Sequence, residues 1–268
     1  MKKLLTLTIA LLLLLAAGCG EDPDATNPAP YDDGPAAVTS SSAESKSAGD
    51  ETPVTDGSPA VSGSAAPAGW EIYEKARNAT DALDNREYQT MVYTRIVSGG
   101  DSQAQSLNLL VKYIGAHSSA PQISATGSVK AKDRIIELEM YYRDSVLYSS
   151  SGDSRSKQET YFEAAASEID VLRVFRKELL PEYITDISVE DSVDGTRQIS
   201  MRFHGMINAL DTVGSGEIVV SSSGYITSEG YTFNTQSQGQ TVSQSVEVTL
   251  TGYGDALAPI VFPDLSGY

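Results

Sequence analysis

Glu137 and Glu139 stand two residues apart in Ile136-Glu137-Leu138-Glu139-Met140, where acidic and apolar residues alternate. On an extended strand both carboxylates leave the same face, their carbons about 6.5–7 Å apart, a separation that suits an acid and a base for inverting glycoside cleavage. The solvated face of an ordinary strand gives the same pattern. The only Trp, Trp70, falls in a helical pattern and leaves no stacking residue near the pair, so the pair reads as an outer face. Asp186, Glu190, Asp191 and Asp194 crowd one hairpin, and calcium takes several oxygen ligands. However, Asp191-Ser192-Val193-Asp194-Gly195 lacks the spacing of a calcium loop, and Asp-Gly is what a tight turn uses anyway. A Ser-His-Asp triad must draw on His117, in a polar loop, or His204, at the polar side of a strand end; no Gly-x-Ser-x-Gly elbow precedes either. Asn78-Ala79-Thr80 matches a glycosylation sequon but sits inside a helical pattern. No glycine loop for phosphate stands at a strand-to-helix turn. These residues imply no catalytic group, no metal and no cofactor.

Composition excludes more. A formal charge of −17, from 19 Lys and Arg against 36 Asp and Glu, argues against a nucleic-acid partner, because affinity there comes from cations neutralising phosphates. One Cys and two His exclude an intrachain disulfide, a cysteine-rich zinc site and an iron–sulfur cluster.

The lone cysteine has a setting of its own. Lys2 and Lys3 precede an apolar run from Leu4 to Leu15, followed by Ala16-Ala17-Gly18-Cys19, the layout of an export signal. The run is too short to span a bilayer, which takes about 20 residues. Leu15-Ala16-Ala17-Gly18-Cys19 resembles a bacterial lipoprotein signal, with its leucine one place further back than usual. That resemblance implies residues 1–18 as a removed signal peptide and a lipidated Cys19. Acyl chains bury about 0.8 kcal/mol per methylene, and two or three of them hold stably to a membrane. The plain alternative, a secretory peptide cut after Ala17 or Gly18, leaves an exposed unpaired thiol outside the cell.

Residues 19–68 follow Cys19 with Ser, Ala, Pro, Gly, Thr and acids, nine carboxylates against Lys46 alone, and no Leu or Ile. Such a stretch cannot offset its ordering entropy and reads as a disordered tether, averaging roughly 35–42 Å end to end. Residues 69–268 have the size of one domain. Period-two patterning dominates there. Met91, Tyr93 and Val97 alternate with Thr90, Thr94 and Ile96; Leu107, Leu109, Val111 and Tyr113 with Ser106, Asn108 and Lys112; Ile123, Ala125, Gly127 and Val129 with polar neighbours; Leu138, Met140 and Tyr142 with Glu137 and Glu139. Further strands are predicted at 146–149, 156–160, 185–190, 197–204, 217–222, 225–235 and 242–253, several joined by Asp-Gly or Ser-Gly turns. Two helices interrupt them. Trp70, Tyr73, Ala76, Thr80 and Leu83 keep helical spacing, and a capping box Thr160-Tyr161-Phe162-Glu163 opens a helix with Phe162, Ala165, Ile169, Leu172, Phe175 and Leu179 inward. Its polar face carries Glu168, Asp170, Arg173, Arg176, Lys177 and Glu178. The fold class is α+β: one long antiparallel meander of about ten strands, curled into a half-barrel, with the helices packed on its concave face.

This layout over Trp70 to Tyr268 is similar to the LolA/LolB-like superfamily of lipoprotein carriers and mycobacterial lipid-carrying lipoproteins, and more closely to Gram-positive surface lipoproteins of that fold. Tyr141-Tyr142-Arg143-Asp144-Ser145-Val146-Leu147-Tyr148 resembles their aromatic hairpin after the fourth strand, with Ser145 where they have glycine; Ser223-Gly224-Tyr225-Ile226 and Ile260-Val261-Phe262-Pro263 fit as well. The resemblance implies a lipid held by apolar walls with no catalytic group. Met91, Tyr93, Leu109, Val111, Leu138, Met140, Tyr142, Phe162, Ile169, Leu172, Phe175, Met201 and Phe203 are the candidate lining, with methionine adapting to chains of varied length. The expectation is a monomeric, non-enzymatic lipoprotein at the extracytoplasmic face of a Gram-positive membrane, with an amphiphile in its concavity. The rival is an envelope interaction module with a filled core, meeting a cell-wall or membrane-protein partner.

Overall fold

The computed structural model describes residues 67–207, 209–237 and 240–268. The signal over 1–18, Cys19 and the tether up to residue 66 lie outside the described residues. Helix α1 spans Ala68–Asp81, and its apolar side, Trp70, Tyr73 and Ala76, is buried. Six strands follow: β1 (Arg86–Ser98), β2 (Asp101–Ile114), β3 (Gln122–Ala131), β4 (Arg134–Arg143), β5 (Val146–Ser151) and β6 (Ser154–Glu159). Then come α2 (Phe162–Ile169), α3 (Val171–Glu178) and a 3-10 turn at Pro181–Tyr183. The chain returns through β7 (Ile184–Asp191), β8 (Arg197–Ile207), β9 (Leu210–Val220), β10 (Ile226–Ser237) and β11 (Gln240–Tyr253).

All eleven strands form one open antiparallel sheet in the order β6-β5-β4-β3-β2-β1-β11-β10-β9-β8-β7. The sheet is a curved half-barrel with the helices on its concave face, as the α+β reading expects. Its wiring corrects the single meander. β1–β6 and β7–β11 are two meanders, zipped where β1 pairs β11 with Val92 opposite Val246. The connection carrying α2 and α3 therefore starts at one edge of the sheet and ends at the other, which is why helices rather than a short turn occupy it. The Asp144-Ser145 turn between β4 and β5 has φ of 52° and 61°. Positive φ at both central residues is the primed turn that matches strand twist, here made without glycine.

The second predicted helix is two. Asp170, 6% exposed, leaves helical geometry and caps α3, its carboxylate accepting from the N–H groups of Leu172 (3.0 Å) and Arg173 (3.2 Å). The expected capping box does not form, because Tyr161 holds the N-cap position of α2 and no side chain bonds there. Breaking the helix changes which residues share a face. Two positions apart in a continuous helix point about 200° from each other, whereas Ile169 and Val171 line the same groove.

The core runs along the concave face. Phe175 of α3 and Leu179, the residue that ends it, are buried with Ile199, Met201, Phe203, Ile218 and Tyr231 of the β8–β10 half. Phe175 is the hub, with ring centroids 5.6 Å from Phe203, 4.8 Å from Tyr231 and 5.3 Å from Phe233; each such side chain contributes about 1.5–3 kcal/mol by leaving water. On the outer face, residues 254–268 cover part of β4 and β5, with Phe262 against Tyr141 and Tyr268 against Tyr148. That cover explains why Tyr141, which points outward, is only 7% exposed.

Candidate functional site

The concave face is not filled evenly. Between the β2–β6 half of the sheet and the α2–α3 junction lies a groove of about 340 Å³. Its floor is apolar: Leu107 and Leu109 on β2, Val129 on β3, Leu138 and Met140 on β4 and Leu147 on β5, roofed by Ile169 and Val171. Strand pleat puts these residues on one side, since i and i+2 share a face. Leu109, Gly127 and Leu138 lie in one cross-strand row, in which Gly127 contributes no side chain. The far rim is polar, built from Ser149, Ser150 and Ser151 of β5, Ser154, Arg155, Ser156 and Gln158 of β6, and Glu168 of α2. Ser149 and Ser156 bond each other through their hydroxyls at 2.7 Å. Partial burial pushes the Glu168 carboxyl above its ordinary range, because desolvation disfavours the charged form.

The candidate lining residues divide into four groups. Leu109, Leu138, Met140 and Ile169 line the groove. Val111, Tyr142 and Leu172 belong to the buried core, and the partly buried Phe162, its ring 6.1 Å from Tyr113 and 5.9 Å from Tyr142, lines a separate cavity beside α1 instead. Phe175, Met201 and Phe203 pack solidly in the other half of the concavity. Met91 and Tyr93 do neither. They are 44% and 50% exposed on the outer face, because β1 turns Tyr88, Thr90, Val92 and Thr94 inward. β1 keeps the period of two that its sequence shows, with the opposite phase. Leu107, Val129, Leu147, Val171 and the serine-rich rim are groove residues that the candidate lining lacks. Their period-two pattern was visible, but the position of the helical roof was not.

A buried polar network ties the helices to the sheet. Tyr88 donates to Asp170 at 2.9 Å and lies 3.4 Å from the Tyr113 hydroxyl. Burial, then the nearby Asp170 carboxylate, push the Tyr113 hydroxyl up to about 12 and Tyr88 upward too. Glu229, 1% exposed, pairs with Arg176 and accepts from Tyr231 at 3.1 Å; Tyr231 meets the Tyr73 hydroxyl at 3.0 Å. Asp170 and Arg176, expected on a solvated helix face, are thus interior. Burial opposes the Arg176 charge, but Asp170 and Asp81 nearby raise its pKa overall.

The other chemistry-bearing residues stay apart. Glu137 is exposed, pointing away from the groove between its inward neighbours. His204 bonds Asp211 at 2.9 Å on an exposed surface. His117 reaches the Asp81 carbonyl at 3.0 Å. Asp194 accepts from Thr196 within its own turn, which holds its carboxyl below the ordinary range. A second cavity, about 430 Å³, lies between α1, the start of α2 and α3. It is larger than the groove but lined by charges, which suits no acyl chain.

No family model and no curated protein matches the chain. Solved structures similar to it include LprF from Mycobacterium bovis, at 11% identity and a TM-score of 0.40 over 75% of this chain and 99% of that one. A DUF1329 family protein from Desulfovibrio piger aligns at 10% identity and a TM-score of 0.28, covering 70% of this chain and 94% of that one. An outer membrane lipoprotein-sorting protein domain from Vibrio parahaemolyticus aligns at 8% identity and a TM-score of 0.23, covering 70% and 93%. Likeness at this level carries no argument about what the chain binds.

Proposed function

We propose that this protein is a non-enzymatic lipid binder, anchored outside the cell membrane through a lipidated Cys19 and holding one acyl chain of an amphiphile in the groove of its half-barrel. The apolar floor of the groove supports this reading most. Its volume of about 340 Å³ sits at the low end of small-molecule sites, about 300–1,000 Å³, which favours one chain over two. Eight methylenes buried there supply about 6 kcal/mol gross, and association costs take back a large part. The affinity expected for a simple fatty acid is therefore modest. The polar rim of serines, Arg155, Gln158 and Glu168 leaves the other end of the ligand at the mouth.

Residues 20–268, produced in a bacterial host and purified without detergent, test this by native mass spectrometry followed by organic extraction. Co-purified or added lipid at one per chain is the expected result. A bare mass that stays bare after incubation with fatty acids and phospholipids removes the groove from the account and leaves an envelope interaction module.

A further inference from the structure

The chain carries 19 Lys and Arg against 36 Asp and Glu, yet five of the nineteen, Arg77, Arg86, Arg173, Arg176 and Lys177, line the second cavity. Three carboxylates share that lining, and each already has a cation. Glu74 pairs with Arg77 at 3.6 Å, Glu163 with Arg173, and Asp81 with Arg176 at 3.9 Å. Behind them Glu229 neutralises Arg176, and Asp170 is taken by Tyr88 and the start of α3.

Two cations are left over. Lys177 is exposed and makes no ion pair among the described residues. Arg86 is 4% exposed; its Nη1 donates to the carbonyls of Asp81 (3.0 Å) and Leu83 (2.8 Å), closing the end of α1, and its guanidinium lies 4.3 Å from the Tyr113 ring centroid. No carboxylate comes within ion-pair distance of it among the described residues. A third donor is idle as well, since the Nε of Arg173 is buried without a partner. Buried donors are normally satisfied, and a buried guanidinium without an anion is unfavourable.

We propose that this cleft binds a phosphate group. Guanidinium forks match phosphate oxygens, and lysine adds a point charge. Arg86, Lys177 and the idle Arg173 N–H come from β1 and α3, so they suit an acceptor with oxygens in several directions better than a flat carboxylate. The volume exceeds that of phosphate alone and leaves room for whatever carries it. The site stands apart from the groove and does not depend on what the groove holds.

Trp70, the only Trp of the chain, lines this cleft and is 4% exposed, so its fluorescence reports on it directly. Residues 20–268 are titrated at constant ionic strength with inorganic phosphate, with dihexanoyl phosphatidate below its micelle concentration, and with dihexanoylglycerol as the uncharged control. A saturable change with a phosphate probe and none with the control is expected, weakened about fivefold or more by Lys177→Gln. Arg86→Gln abolishes it where the variant still melts cooperatively; Lys177→Gln, at an exposed position, keeps the test decisive if it does not. Phosphatidate binding about tenfold tighter than inorganic phosphate assigns a lipid headgroup, and equal or weaker binding assigns a free phosphate compound. Absence of saturation by either probe below about 10 mM, or affinity unchanged in Lys177→Gln, overturns the proposal.

Discussion

Replacing Asp170 with alanine removes the residue that breaks the long helix and ties it to the sheet. Two effects add. The α3 cap to Leu172 and Arg173 is lost, about 1 kcal/mol within a range of 0.5–2. The buried Tyr88 hydroxyl keeps only a long 3.4 Å approach to Tyr113, and an unsatisfied buried donor costs about 1–3 kcal/mol. The expected loss is about 1.5–5 kcal/mol, a large share of the 5–15 kcal/mol typical of a domain. Asp170→Asn keeps the one oxygen that caps α3 and places an NH2 where Oδ2 accepted from Tyr88, so the Tyr88 hydroxyl turns to accept instead of donate, and the variant should cost about 1 kcal/mol. Urea unfolding followed by Trp70 fluorescence and far-UV circular dichroism measures both, a shifted midpoint at constant slope marking a change in stability. In a double-mutant cycle with Tyr88→Phe, the pair should be less destabilised than the sum by about 1–2 kcal/mol, because no hydroxyl is left orphaned. A loss below about 0.5 kcal/mol for alanine, an asparagine variant as unstable as the alanine one, or strict additivity with Tyr88→Phe refutes the reasoning.

Other expectations follow from the same geometry. The folded Tyr113 hydroxyl titrates near 12 against an ordinary 10, so the unfolded chain loses this proton first as pH rises. Stability is full below pH 10 and falls between pH 10 and 12 by roughly 2–3 kcal/mol; urea midpoints across that range should drop, and Tyr113→Phe should flatten the drop. Glu168, raised by burial at the groove, is desolvated further by a bound chain, so an uncharged amphiphile should bind more tightly at pH 5 than at pH 8 by calorimetry, and Glu168→Gln should remove the difference. A methyl group at Gly127 runs into the backbone of Asn108, so Gly127→Ala should lower the urea midpoint by about 1–3 kcal/mol equivalent, whereas Gly224→Ala, with open space but φ of +85°, should cost only its backbone strain.

Most strands and the α+β class were legible because period-two and period-3.6 patterns are local. What failed was phase and long-range wiring. β1 carries apolar residues on both faces, and only its partners decide that Val92 rather than Met91 and Tyr93 meets the core, with Leu107 of β2 and Val246 of β11 opposite it. The β1·β11 zipper joins segments about 150 residues apart, which no local pattern announces. The break at Asp170 did leave a trace, since an Asp followed by an apolar pair is a common N-cap signal, but the continuous Phe162–Leu179 pattern overrode it. The groove is half legible: the inward pattern includes Leu109, Leu138, Met140 and Ile169, which line it, and the equally apolar Phe175, Met201 and Phe203, which pack as solid core. Sequence pattern identifies an inward face, and only the position of the helices decides where that face stays open.

The claim that the groove holds an acyl chain is tested most directly by titrating a fluorescent long-chain fatty acid into residues 20–268 and into two variants. Met140→Trp fills a groove position that is only partly buried, and Tyr93→Ala alters the outer face. Saturable binding near one per chain, weakened about tenfold or more by Met140→Trp and unchanged by Tyr93→Ala with melting temperatures preserved, is the predicted result. Binding that is absent, or equally tight in Met140→Trp, contradicts it.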